Sequence, residues 1–121
     1  MSDRRVENLT AFVPAKDFEL SSRFYTDLGF AAVASIKKAV RFERNGFGFW
    51  LQDYYVEDWA GNFMICLYVT DLNAWWTHIE GMRVDATYGA ARVLAEPHDQ
   101  EGGLMMQLSD PSGVLWHIRQ D

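Results

Sequence analysis

The sequence predicts an α+β domain assembled from two βαβββ halves. A strand pattern leading into an Asp-capped amphipathic segment occurs twice, first near Asn8 and again near Phe63. Each apolar helical stripe is followed by glycine, Gly29 in one case and Gly81 in the other. Late in each half comes a turn signal, Asn45-Gly46 and then Asp110-Pro111-Ser112-Gly113. The repetition is one of element order and not of residues. A chain of 121 residues suits a single domain, here 1–121 with halves of approximately 1–60 and 61–121.

Asn8 to Pro14 reads as a strand, with Leu9, Ala11 and Val13 on one face and Asn8, Thr10 and Phe12 on the other. Asp17 is placed to cap a helix, and Leu20, Phe24, Tyr25 and Leu28 form its apolar stripe up to Gly29. Phe30 to Ser35, Ala39 to Arg44 and Phe47 to Gln52 are strand candidates. Asp53 to Asn62, polar and aromatic, reads as a linker or functional loop. Phe63 to Thr70 opens the second half as a strand. Asp71 caps a helix with Leu72, Trp75, Trp76 and Ile79 on its stripe. Met82 to Ala91 fits no single pattern. Arg92 to Glu96, Leu104 to Ser109 and Val114 to Arg119 supply the remaining strands.

Composition narrows the function. The net charge of −6 opposes non-specific binding to nucleic acid, which relies on clustered cations, and disfavours anionic membrane surfaces. No apolar run approaches the ~20 residues of a membrane span, and Met1 to Glu7 lack the apolar segment of a signal peptide. A lone cysteine, Cys66, excludes an intrachain disulfide and reads as a small buried hydrophobe. A cytoplasmic protein is expected. Aromatic residues make up 15% of the chain, more than a small core needs, so a ligand surface or a subunit interface is expected to use the surplus.

Three stretches carry a resemblance to a known family. They are Phe12-Val13-Pro14-Ala15-Lys16-Asp17 leading to Phe24-Tyr25-Thr26-Asp27-Leu28-Gly29-Phe30, then Leu67-Tyr68-Val69-Thr70-Asp71-Leu72, then Asp110-Pro111-Ser112-Gly113-Val114-Leu115-Trp116. In this order and spacing the chain resembles the vicinal oxygen chelate superfamily of glyoxalase I, fosfomycin-resistance transferases, extradiol dioxygenases and bleomycin-resistance proteins. Its size, acidity and aromatic loop look most like the bleomycin-resistance type. The resemblance implies curled mixed sheets around a cleft, a homodimer that completes it, and, in metal-dependent members, four inward ligand positions.

Those positions fall here on Asn8, Met64, His117 and either Trp50 or Gln52. Asn, Met and Trp do not suit a hard divalent ion, and one imidazole cannot hold a catalytic metal that takes about three protein ligands. No metal and no cofactor are expected. Parity places Asn8, Thr10, Phe12, Met64, Cys66 and Tyr68 on the cleft side, with Leu9, Ala11, Val13, Ile65, Leu67 and Val69 toward the helices. Trp50, Tyr54, Tyr55 and Trp59, with Asp53, Glu57 and Asp58 among them, suit stacking on a flat and cationic ligand, and equally suit a dimer interface. His117 is a general acid or base, a ligand contact, or a satisfied interior histidine. Trp75 and Trp76 read as core.

The candidate ligand contacts are therefore Asn8, Phe12, Trp50, Gln52, Tyr54, Trp59, Met64, Tyr68 and His117. Two functions follow from them. One is a metal-independent protein that sequesters a partly aromatic small molecule. The other is an enzyme of the same superfamily, a lyase, isomerase or dioxygenase, that uses His117 or a metal site not evident in the sequence.

Overall fold

A computed structural model describes residues 3–121. The leading polar stretch, read above as lacking a signal segment, thus lies partly outside the described residues. The elements run β1 (Phe12–Pro14), α1 (Phe18–Leu28), β2 (Ala31–Ile36), β3 (Ala39–Arg44), β4 (Phe47–Gln52), α2 (Glu57–Ala60), β5 (Met64–Tyr68), α3 (Leu72–Met82), α4 (Val84–Thr87), β6 (Arg92–Gln100), β7 (Gly103–Ser109) and β8 (Leu115–Gln120). They form two open four-stranded mixed sheets, ordered β1-β4-β3-β2 and β5-β8-β7-β6. In each, the first strand of the half runs parallel to the last, and the other neighbours are antiparallel. The two-half α+β architecture expected from the sequence is the one observed.

Local chemistry sets the boundaries. Asp17 accepts from the Leu20 N–H and Asp71 from the Ala74 N–H, each at 3.1 Å, which satisfies a donor that the first turn of each helix leaves free. Gly29 ends α1 at φ +124°, a conformation closed to most side chains. Asn45 and Gly46 both take positive φ, as a tight hairpin between β3 and β4 requires.

Several boundaries differ from expectation. β1 begins only at Phe12, and the Trp50 N–H bond to the Ala11 carbonyl is the first backbone link of this segment to β4. Leu9 and Ala11 consequently do not face the helices; Leu9 is 94% exposed. α3 continues through Gly81 to Met82, and the left-handed Arg83 turns the chain into α4, so half of the ambiguous stretch is helical. The loop after β4 contains the single turn α2.

The core lies between the sheets and the helices and is strongly aromatic. Tyr25, Phe42, Phe49, Phe30 and Trp116 meet ring to ring, with centroids 4.8–6.2 Å apart. Residues from both halves enter it, so the halves share one core. Trp75 and Trp76 are only half-buried, because Leu72 and Ile79 hold the centre of the α3 stripe. Trp75 instead carries the Arg44 guanidinium over its ring at 5.2 Å.

Candidate ligand-binding site

Strand alternation gives each sheet one face on the core and one face left open. In the first sheet Val13, Phe42, Phe49 and Leu51 point into the core. Phe12 and Trp50 stand opposite each other in register on the other face, with Arg41 across from Trp50. The Phe12 and Trp50 rings are stacked, 6.0 Å between centroids and 12° from parallel. Gln52, two residues on, shares that face. Parity thus places both Trp50 and Gln52 on the open side.

Beyond β4, Tyr54 and Trp59 form a second ring pair, 6.4 Å apart and tilted by 47°. Trp59 is 65% exposed, an unusual position for an indole in a water-facing loop. The Ala15 N–H bonds the Tyr54 carbonyl, so the loop starts at the end of β1, close to the Phe12 strand.

The second sheet repeats the arrangement with different chemistry. Met64, Cys66 and Tyr68 are exposed along β5, alternating with half-buried Ile65 and Leu67. His117 sits between Cys66 and Gln107 in register, and its Nε2 lies 3.2 Å from the Gln107 amide nitrogen. The Tyr68 hydroxyl is held above its ordinary range, chiefly by the neighbouring Cys66 thiol. Cys66 is not the buried hydrophobe expected, because β5 turns its side chain to the exposed face. Met105 and Met106 point to opposite faces of β7, and both are buried.

The nine sequence candidates do not converge on one point. Phe12, Trp50, Gln52, Tyr54 and Trp59 belong to the first sheet and its loop. Met64, Tyr68 and His117 belong to the open face of the second sheet. Asn8 lies on the exposed arm before β1, outside any strand. Between the two sheets runs a groove of about 760 Å³, walled by Phe30, Phe47, Ile65, Leu67, Trp75 and Trp116.

Two further groups are not singled out as site candidates by the sequence. Arg41 occupies the open face beside the stacked rings, but nothing distinguished it from an ordinary strand cation. Asp110 reads as a turn residue, yet it is fully buried. There it accepts from the Ser112 and Val114 N–H groups and from the Tyr25 hydroxyl. Burial pushes its carboxyl upward, against the lowering effect of those donors.

The residues do not fit a metal centre. Of the positions the resemblance nominates, Asn8 is on the arm, Met64 is a thioether, and Trp50 lies stacked on Phe12. Gln52 and His117 are on different sheets. Among the described residues no group of three or more His, Cys, Asp or Glu side chains is placed to hold an ion.

Known proteins share this fold. The chain is 27% identical over its full length to a bleomycin resistance protein of Klebsiella pneumoniae, covering 94% of that protein. A crystal structure of a bleomycin-binding protein complexed with bleomycin superposes with a TM-score of 0.78 at 27% identity, covering 96% of this chain and 99% of that one. A lactoylglutathione lyase from Agrobacterium tumefaciens shares the fold, with a TM-score of 0.70 at 17% identity over 96% of this chain and 95% of that one. The family model of the glyoxalase/bleomycin resistance protein/dioxygenase superfamily matches residues 8–118, and the chain belongs to that superfamily.

Proposed function

We propose that this protein binds and sequesters a partly aromatic small molecule without transforming it, and that bleomycin or a chemically similar compound is a ligand. The observation that carries the reading is the Phe12–Trp50 stack on an open sheet face, beside the exposed Tyr54–Trp59 pair. Flat rings are held well by such surfaces, each contact contributing about 0.5–1.5 kcal/mol beyond area burial. Asp53, Glu57 and Asp58 lie next to the loop rings in the sequence and would favour a cationic group on the ligand. Full-length similarity to a bleomycin resistance protein and to a bleomycin-binding protein supports the same assignment.

The working unit in this reading is a cytoplasmic homodimer. Residues 3–9 form an exposed, mostly charged arm on which Val6 and Leu9 stand at 80% and 94% exposure. The open sheet faces and the groove between the sheets are also uncovered, and a second copy would bury such surface.

Tryptophan fluorescence during titration with bleomycin tests the binding reading. A saturable change, with bleomycin recovered chemically intact, is the expected result. No saturable response, or conversion of the compound, would overturn it. His117 supports an enzymatic alternative through its contact with Gln107 and its place beside Cys66. Loss of turnover with binding kept, on replacing His117 by Ala, would establish that alternative.

A further inference from the structure

Beside the stacked rings lies a polar pair with unused bonding capacity. Arg41 is directly opposite Trp50 in the strand register, so its side chain shares the open face. Its Nε donates to the Glu43 carboxylate at 3.0 Å and its Nη1 to the Thr10 hydroxyl at 2.6 Å. These contacts fix the plane of the guanidinium, whose side chain is only 14% exposed. Two of its five donors are used. Nη2 makes no hydrogen bond among the described residues, yet it is not sealed from solvent. The same is true of the Glu43 Oε1, on a side chain 35% exposed.

Glu43 is also held in place. Gly48 faces it across the hairpin, and a Cβ there would stand 2.1 Å from the Phe42 carbonyl oxygen and 2.7 Å from the Glu43 Cγ. The glutamate stem thus occupies space that any other residue at position 48 would contest. On the other side Ala34 faces Arg41 and Ala31 faces Glu43, so small side chains leave the pair uncovered.

An oriented N–H donor and a carboxylate acceptor therefore sit side by side at the edge of an aromatic platform. Their charges cancel, so the pair selects by direction and not by net attraction. We infer that this pair is a specificity element for a carboxamide, or an equivalent amide edge, attached to the flat part of the ligand. The carbonyl oxygen accepts from Arg41 Nη2, and the amide N–H donates to Glu43 Oε1. A carboxylate on the same ring loses the second bond and meets the glutamate charge. A ketone loses the second bond alone. This inference rests on the binding reading above and narrows its ligand.

Three matched probes test it: naphthalene-2-carboxamide, naphthalene-2-carboxylate and 2-acetylnaphthalene. Their affinities are read from shifts of the Trp indole N–H signals in nitrogen-labelled protein, which requires no variant. The carboxamide is expected to bind roughly three- to tenfold more tightly than either analogue, the range one or two net hydrogen bonds supply. Arg41→Met should weaken the carboxamide and the ketone, which both lose the Nη2 donor, and leave the carboxylate weakest, because the Glu43 charge is then uncompensated. Glu43→Gln should invert the preference toward the carboxylate, because the guanidinium is then uncompensated. Equal affinity of all three probes for the native chain, or an unchanged order in Glu43→Gln, would overturn the inference while saturable bleomycin binding left the binding reading intact. Failure of bleomycin and every probe to bind would remove both.

Discussion

The Tyr25 hydroxyl donates to the Asp110 carboxylate at 2.5 Å, joining the first helix of one half to the last hairpin turn of the other. The same hydroxyl accepts from the Trp116 indole N–H at 2.9 Å. The Ser112 hydroxyl accepts from the Lys16 backbone N–H at 2.9 Å, a second link across the halves. A buried carboxylate is costly unless its lone pairs are satisfied, and here side-chain and backbone donors from both halves converge on it.

Tyr25→Phe keeps the ring packing but removes a donor from Asp110 and an acceptor from Trp116. The loss of stability is expected to be about 2–4 kcal/mol, larger than for an exposed hydrogen bond, because both former partners stay buried. Urea unfolding with coincident fluorescence and circular dichroism transitions measures it. A change below about 0.5 kcal/mol would show that the network does not join the halves energetically.

Alkaline pH should weaken the fold through the buried phenols. Burial, followed by the hydrogen bond to Asp27, pushes Tyr88 up to about 12, and Tyr25 is raised well above its ordinary value. The neutral phenol is the form the folded state favours. Stability from these groups is thus fully present below about pH 10, the unfolded value, and is lost as pH rises through the folded values. Unfolding free energies measured from pH 8 to pH 12 should fall above about pH 10, and Tyr88→Phe should flatten part of that slope. A pH-independent plateau over the range would contradict the assignment.

Trp59→Ala separates binding from folding. The ring is 65% exposed, so its removal should change stability by less than about 0.5 kcal/mol. If the loop rings hold the ligand, bleomycin affinity should fall by about 1–3 kcal/mol, measurable by calorimetric titration. Unchanged affinity, together with dissociation of a dimer, would assign the indole to a subunit contact.

Removal of residues 3–9 tests the role of the arm. Among the described residues no strand pairs with this segment, and Leu9 is almost wholly in solvent. If the arm holds the proposed dimer together, the truncated chain should keep its circular dichroism spectrum and sediment as a monomer at micromolar concentration, and the full chain should sediment as a dimer. Equal sedimentation of the two would exclude the arm as the dimer element.

What the sequence determined by itself was local and periodic. Asp17 and Asp71 as caps, Gly29 as a stop, the Asn45-Gly46 hairpin and the alternation along β5 all act within a few residues, and each is where the pattern puts it. Repetition of that order was enough to indicate two βαβββ halves. Gly81 misled, because a glycine inside a helix carries only a modest penalty that packing around Leu72 and Ile79 outweighs. Tertiary structure alone decided which distant residues meet. Phe12 and Trp50 become a stack only because β1 pairs with β4 across the intervening hairpin strands. The Arg41–Glu43 pair lies beside that stack by the same register. Asp110 looks in the sequence like any turn acid, and its burial follows from Tyr25 reaching it across 85 residues of chain. Local preferences are set by a residue's immediate neighbours, whereas a site depends on strand pairing and shared burial, which the whole chain fixes together.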